Sequence, residues 1–291
     1  MCGITGFINL NDKPADVSIL KSMTDAISHR GPDGEGHWVS DNIAIGHRRL
    51  SIIDLSDAGS QPMISSDGRY ILSYNGEIYN FKDIRQELER LNYSFRSDTD
   101  SEVVLYALVQ WGKDALLKFN GMFAFAFWDN HKKEILLARD RYGIKPLYYS
   151  LCNNILCFGS EQKAILKNPN IKNKIDNEGL IEYFTFQNIF SDKTLIEDIK
   201  LLPAGHSASF SLEQPKNLKI EIYWDYNFQN PEHKVDVKEY TEELNRLFVQ
   251  AVERQLVSDV EIGAYLSGGM DSGAITAIAS SKMPNLKSFT C

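Results

Sequence analysis

Cysteine is the second residue of the chain, within Met1-Cys2-Gly3-Ile4-Thr5-Gly6-Phe7, so removal of Met1 would leave a thiol and a free α-amine on one residue. That pair is a nucleophile with its own base. The thiolate is the reactive form of cysteine, and an α-amine, titrating about two units below a lysine, can take the thiol proton at neutral pH. No histidine partner is then required. Alone, a cysteine here proves little, because most cysteines are packing groups.

Two later segments strengthen the signal. In Ser73-Tyr74-Asn75-Gly76-Glu77-Ile78-Tyr79-Asn80, apolar alternation over 70–74 predicts a strand ending in an Asn-Gly turn. One reading is a plain hairpin. In the other, the Asn75 amide and the Gly76 backbone N–H point at one place and make a hole for an oxyanion, with no Cβ at Gly76 to block a tetrahedral intermediate. The second segment, Tyr265-Leu266-Ser267-Gly268-Gly269-Met270-Asp271-Ser272-Gly273, follows a strand pattern over 260–266 and opens a helical one over 271–282. Strand, glycine turn and helix N-terminus form an anion site, to which Ser267 and Ser272 add hydroxyl donors. No lysine closes the loop, so it is not a Walker-type P-loop. Asp271 either caps the helix or holds Mg²⁺ against a pyrophosphate.

In order, MCGITGF, His29-Arg30-Gly31-Pro32-Asp33, Arg49-Leu50-Ser51-Ile52-Ile53-Asp54, Asn75-Gly76-Glu77 and SGGMDS closely resemble the glutamine-hydrolysing asparagine synthetases. That resemblance implies an N-terminal class II (N-terminal nucleophile) glutaminase followed by an ATP-pyrophosphatase-type synthetase. It implies Cys2 as the nucleophile that attacks the side-chain amide of L-glutamine, and Asn75 and Gly76 as the oxyanion hole. Arg49 would grip the α-carboxylate of glutamine, for which a planar guanidinium offers two parallel donors. The backbone from Leu50 to Ile53 would line the same pocket, and Glu77 and Asp100 would hold the α-ammonium. Leu266, Ser267, Gly268, Gly269, Asp271 and Ser272 would bind the nucleotide.

ATP and Mg²⁺ are implied for the complete synthetase, with no cofactor for glutamine hydrolysis. The acceptor is a carboxylate, L-aspartate by default; related enzymes amidate other carboxylates. Two positions depart from the usual pattern: Gly273 stands where a second serine is common, and Glu261 where a proline is common. The loop 29–33 is expected to be a mobile cover over bound glutamine. Arg139-Asp140-Arg141-Tyr142-Gly143-Ile144-Lys145-Pro146-Leu147-Tyr148-Tyr149 is also typical of these glutaminases; it reads as a strand connection or interdomain surface, and we assign it no catalytic role.

Two other classes stand as alternatives. A catalytically silent glutaminase-fold module is opposed by the presence of Cys2, Arg49, Asn75 and Gly76. A phosphoribosyl- or hexosamine-type amidotransferase is opposed by SGGMDS, since such enzymes need no ATP-cleaving loop.

The elements that must position these residues are short apolar runs between turns, interrupted by amphipathic helices. Phe81, Ile84, Leu88 and Leu91 share one helical face; Val104, Leu108 and Trp111 share another, on a helix over 101–111 that Asp100 could cap. Buried strands are predicted over 121–128, 134–138, 146–149 and 155–158. Periodicity gives an α+β class; the resemblance refines it to a four-layer αββα sandwich of the N-terminal nucleophile type, followed by the start of an α/β domain. We expect a glutaminase domain over 1–212, a linker over 213–234 holding one short strand, and the beginning of the synthetase domain over 235–291. Two strands and two helices there leave a parallel sheet uncovered, so we expect a fragment or one half of a split synthetase. A homodimer or a complementing synthetase half is the expected partner.

At 291 residues and 43% hydrophobic, the chain can fill about two domain cores. Its net charge of −8 offers no footprint for nucleic acid or anionic membrane. The apolar run 122–128 is too short to span a bilayer, and the N-terminus lacks a charged, apolar leader. Cysteines stand only at positions 2, 152, 157 and 291, without a C-x-x-C pair, which favours a reducing, cytoplasmic setting. The six histidines lack zinc-site spacing.

Overall fold

A computed structural model describes residues 1–214, 218–229 and 236–290. Residues 215–217 and 230–235, inside the stretch expected as the linker, and Cys291 lie outside the described residues. By its contacts the chain divides into two units, one of Met1–Ser51 and Ser56–Asp225, the other of Ile52–Leu55 and Tyr226–Cys291.

The strands of the first unit are β1 (Gly3–Asn9), β2 (Gly34–Ser40), β3 (Ile43–Arg49), β4 (Met63–Ile64), β5 (Tyr70–Ile78), β6 (Gly121–Asp129), β7 (Glu134–Arg139), β8 (Tyr148–Cys152), β9 (Ile155–Gly159), β10 (Lys200–Leu201), β11 (His206–Ser211) and β12 (Lys219–Ile222). Its helices are α1 (Val17–Asp25), α2 (Phe81–Arg90), α3 (Asp100–Trp111), α4 (Ala115–Lys118), α5 (Gln162–Ile165) and α6 (Asn177–Phe186). The strands form two six-stranded antiparallel sheets, ordered β10-β8-β9-β1-β3-β2 and β12-β11-β7-β6-β5-β4.

Alternate residues of each strand serve two different cores. Ile4 and Ile8 of β1 and Ile43 and Ile45 of β3 meet Ala124, Ala126 and Trp128 of β6 between the sheets. Phe7 and Ala44 face the other way, onto Leu20 and Met23 of α1 and Ile165 of α5. Because both faces are covered, these strands read as near-continuous apolar runs rather than alternating ones. Helix α3 lies against the sheet containing β5 and α2 packs on α3, so the unit is the α+β sandwich expected, with helices outside two facing sheets.

The expected strands at 121–128, 134–138 and 155–158 form nearly as predicted, while the one at 146–149 begins at Tyr148 and runs to Cys152. Cys152 and Cys157 sit on the two arms of the β8–β9 hairpin, joined through Asn153 and Asn154, both with positive φ. One boundary differs from expectation. β12 lies within the stretch expected as linker, yet it pairs with β11 and extends the sheet, so the first unit runs through Asp225.

The second unit holds α7 (Val237–Arg254), β13 (Gly263–Tyr265), α8 (Met270–Lys282) and β14 (Lys287–Phe289), with β13 and β14 paired in parallel. Asp236 caps α7 by accepting from the Lys238 N–H. No helix among the described residues is long and apolar enough to cross a membrane.

Candidate active site

Cys2 directly precedes β1, and Gly3 pairs with Arg48, so the thiol reaches the end of β3. There the Leu50 N–H donates to Cys2 Sγ at 3.3 Å, and the thiol lies 3.5 Å from the Leu50 carbonyl. Burial pushes the thiol's pKa up; the Leu50 N–H, the chain's amine and Lys145 oppose that shift. The Cys2 carbonyl accepts from Arg30 Nε at 2.9 Å, while Arg30 Nη1 donates to Glu161 at 3.0 Å. The loop 29–33 is thereby folded onto the β3 end: the Asp33 N–H donates to the Arg49 carbonyl at 3.0 Å, and the Asp33 carboxylate accepts from the Ser51 N–H at 2.9 Å.

Asn75 and Gly76 do not form a turn. β5 continues through both to Ile78, with Asn75 opposite Ala124 and Gly76 opposite Phe123. The prediction of a turn stopped the strand too early because it weighed the Asn-Gly pair above the long partner strand β6. Phe123 exchanges hydrogen bonds with Asp140: its N–H donates to that carboxylate at 3.2 Å, and its carbonyl accepts from the Asp140 N–H at 2.8 Å. In an antiparallel ladder this makes Gly76 and Phe123 a non-hydrogen-bonded pair, so the Gly76 N–H points away from β6. On that same edge the Tyr74 N–H donates to Gln61 Oε1 at 2.7 Å and the Ile78 N–H to Asp100 Oδ2 at 2.9 Å. Gly76 lies between them.

The need for glycine is also different from the one expected. A Cβ on Gly76 would stand 2.4 Å from the Met122 carbonyl oxygen and 2.8 Å from Phe123 Cα. It would collide with the neighbouring strand. Asn75 is buried, and its Nδ2 has no hydrogen-bond partner among the described residues. Beneath this edge His47 hydrogen-bonds the Tyr74 carbonyl through Nε2 at 3.0 Å, and burial pulls its pKa down to about 4. At neutral pH it is therefore an uncharged imidazole donating from Nε2.

Asp100 is fully buried at the first position of α3, whose cap is Thr99 rather than Asp100: Thr99 Oγ1 accepts from the Glu102 N–H. Its carboxylate accepts from Tyr74 Oη at 2.7 Å and from the Ile78 N–H. Burial pushes its pKa up to about 6 against those two bonds, with Glu77 adding to the rise. Glu77 is also raised by burial, opposed by Lys145 and the chain's amine. Cys2 lies within electrostatic reach of Asp100, Tyr74 and Lys145. Arg49 ends β3, where its Nη1 donates to the Ser56 carbonyl at 2.7 Å. Ile53, expected in the same pocket, belongs by its contacts to the second unit.

In the second unit, Gly268 takes a φ of +81°, which glycine adopts without strain, and Gly269 occupies the N-cap of α8 with no side-chain cap. The first N–H groups of that helix are thus left to an external acceptor. Ser267 Oγ and Ser272 Oγ lie 3.1 Å apart, and Ser272 Oγ also donates to the Gly269 carbonyl at 3.1 Å. Leu266 is tied to β14 through its N–H and the Phe289 carbonyl at 2.8 Å. Asp271 is exposed in the first helical turn. No group of three or more histidine, cysteine, aspartate or glutamate side chains among the described residues could hold a metal ion. Open space surrounds the position of a Cβ on Gly273.

Residues 1–224 match the glutamine amidotransferase domain family model, and 243–291 match the asparagine synthase model. The chain belongs to the glutamine amidotransferase domain family. Among its relatives are asparagine synthetase [glutamine-hydrolyzing] 3 of Bacillus subtilis, 38% identical over 283 residues, and amidase chry2 of Gibberella zeae, 33% identical over 297. Each alignment covers 96% of this chain, and 45% and 43% of the relatives respectively. The chain thus spans about half the length of these relatives. The glutamine phosphoribosylpyrophosphate amidotransferase of B. subtilis shares its fold, with a TM-score of 0.56 at 17% identity, covering 99% of this chain and 65% of that one.

Within this glutamine amidotransferase unit, sequence reasoning passed over three groups. Arg30 was seen only as part of a loop, His47 not at all, and Lys145 as part of a strand connection. The segment around Lys145 is a locked turn: the buried Asp140 carboxylate accepts from the N–H groups of Tyr142, Ile144 and Lys145 at 3.1, 3.0 and 2.9 Å. Arg139 donates to the carbonyls of Lys145, Leu202 and Gly143. The available signal was a lysine inside an otherwise apolar and aromatic run, Tyr142 to Tyr149.

Proposed function

We propose that the first unit hydrolyses the side-chain amide of L-glutamine at Cys2, and that the chain serves a glutamine-dependent, amide-forming ligase of the asparagine synthetase type. The observation that carries the reading is the Asn75 edge: a buried amide Nδ2 without a partner among the described residues, next to a glycine whose N–H points away from β6. Buried donors are nearly always paired, and an unpaired one invites a functional explanation.

In this reading Met1 is first removed by hydrolysis. The Cys2 amine takes the thiol proton, Sγ bonds to the glutamine side-chain carbonyl carbon, and the carbonyl oxygen becomes an oxyanion held by Asn75 Nδ2 and the Gly76 N–H. Collapse breaks the C–N bond, the amine returns the proton to the leaving nitrogen, and ammonia departs. Water then cleaves the thioester to glutamate and restores the thiol. Arg49 would bind the α-carboxylate of the substrate, and Glu77 with Asp100 its α-ammonium.

The span through Asp225 is the proposed glutaminase, and the residues after it begin a synthetase domain. The uncapped N-terminus of α8 with Ser267, Gly268, Gly269 and Ser272 suits the pyrophosphate of ATP, and Asp271 would offer a carboxylate to its Mg²⁺. ATP would supply the adenylation that activates the acceptor carboxylate, L-aspartate by default, for attack by ammonia. A homodimer or a complementing synthetase half, in the cytoplasm, completes the reading.

The test is intact mass and peptide mapping before and after an electrophilic glutamine analogue, with glutamate release measured alongside. Loss of Met1, one adduct on Cys2 blocked by glutamine, and no turnover in Cys2→Ala are expected. Turnover retained in Cys2→Ala would sink the nucleophile assignment, and a folded, processed chain that takes no adduct would point to a silent module.

A further inference from the structure

We propose that Lys145 is a positioning residue of the Cys2 site, its buried ammonium acting by charge on the amine and thiol that Cys2 presents once Met1 is gone. The inference rests on the reading of Cys2 as nucleophile.

Lys145 is only 4% exposed, and its Nζ donates to the Met1 thioether sulfur at 3.2 Å. A thioether is a weak acceptor, and among the described residues the ammonium enters no ion pair. An ammonium withdrawn from water without a carboxylate is costly to keep, and folds retain such groups where the charge is used. Nor can this one swing out to solvent easily. Its backbone is clamped on both sides, the N–H by Asp140 at 2.9 Å and the carbonyl by Arg139 Nε at 2.9 Å. The stem therefore leaves a locked turn and ends against the first residue of the chain.

Charged groups from several elements meet here. Arg30 comes from the 3₁₀ turn Ser28–Arg30, Asp33 from the loop after it, Glu77 from β5, Asp100 from α3, and Asp140 from the turn that carries Lys145. In the unprocessed chain, burial does most to lower the pKa of the Met1 amine, and Arg30 and Lys145 lower it further, while Cys2 and Asp33 raise it. Toward the thiol, the same ammonium favours the thiolate. With Met1 gone, the Cys2 amine would lie beside the same cation, which would then act in the useful direction on both partners, because the base must be neutral to accept a proton and the nucleophile must be anionic to attack. Glu77 faces Lys145 as well, and the ammonium favours its ionised form.

The experiment uses the full chain freed of Met1, with Lys145→Met, Lys145→Gln and Lys145→Arg beside wild type. The rate of Cys2 alkylation by iodoacetamide, read by peptide mass so that Cys152, Cys157 and Cys291 are counted separately, is followed against pH. Loss of the charge should raise the midpoint by about one pH unit, roughly a tenfold slower alkylation below it, and Lys145→Arg should bring it back. The acid limb of the glutamate-release profile should move the same way. A folded Lys145→Met or Lys145→Gln protein with the wild-type midpoint would overturn the proposal. Should neither fold, wild type decides: the ¹³Cε signal of Lys145 should shift at the pH where Cys2 titrates, since such coupling is reciprocal, and a signal indifferent to that pH would overturn it. Alkylation needs no glutamine hydrolysis, so failure of the nucleophile reading would show as turnover in Cys2→Ala and leave the titration interpretable.

Discussion

Replacing Asn75 with alanine separates what that side chain does for the reaction from what it does for the fold. Asn75 is 1% exposed, and its Nδ2 meets no acceptor among the described residues. A buried donor left unpaired costs about 1–3 kcal/mol, so deleting it recovers stability of that order. The truncation leaves a small void, which costs on the order of 1 kcal/mol. The two effects oppose each other, and Asn75→Ala should unfold within about 1–2 kcal/mol of wild type in urea. Catalysis has no such offset. Loss of an oxyanion donor lowers kcat by roughly 10²–10³. Glutamate release should therefore show kcat falling by that factor, with a much smaller change in KM for glutamine. A kcat within a few-fold of wild type in a folded variant would refute the oxyanion role. A large stability loss would show that the amide nitrogen is satisfied by the fold after all.

Gly76→Ala should behave differently, because its Cβ would press on the β6 backbone at Met122 and Phe123, which cannot yield as a flexible side chain can. We expect a loss of about 1–3 kcal/mol in thermal or urea unfolding together with loss of turnover, and unchanged stability would contradict the strand register. Asp100→Asn should raise KM for glutamine in the glutamate-release assay while stabilising the protein at pH 7, since an amide oxygen can still accept from Tyr74 and Ile78 without a buried charge. An unchanged KM would remove Asp100 from the ammonium site.

The sandwich was largely legible from sequence because its strands are covered on both faces and read as apolar runs, Gly121–Asp129 most clearly. Cys2, Asn75 and Gly76 are proposed from the ordered motifs and the resemblance those motifs carry, since neither a cysteine at position 2 nor an Asn-Gly pair points to a site by itself. What sequence could not supply was direction. Asn-Gly carries a strong local turn preference, yet β6 pairs with β5 through both residues, and tertiary pairing overrides the local signal. The end of the first unit was misplaced for a related reason: β12 is short and half-polar, and only its pairing with β11 makes it part of the sheet. Lys145 and His47 are buried, which depends on what packs over them from distant parts of the chain.

Two buried groups of opposite habit set the acid behaviour of this region, and Asp100→Asn can separate them. The Asp100 carboxyl titrates near 6 in the fold against an ordinary value of 3.8. The folded state therefore binds its proton more tightly, and stability from this group is fully present below 3.8 and lost as pH rises through about 6. His47 runs the other way: lowered from 6.5 to about 4, it contributes stability above 6.5 that is lost as pH falls through about 4. Each shift corresponds to about 3 kcal/mol in order of magnitude, so in wild type the two nearly cancel between neutral pH and pH 4. With Asn at position 100 the His47 contribution is unopposed. The stability advantage of Asp100→Asn over wild type, measured by urea unfolding at stepped pH, should be about 3 kcal/mol at pH 7 and vanish toward pH 4. An advantage that does not change with pH would mean that burial does not raise the pKa of the Asp100 carboxyl. The same carboxyl, proposed to meet the substrate's ammonium, would then stay ionised well below pH 6 as an ordinary aspartate does.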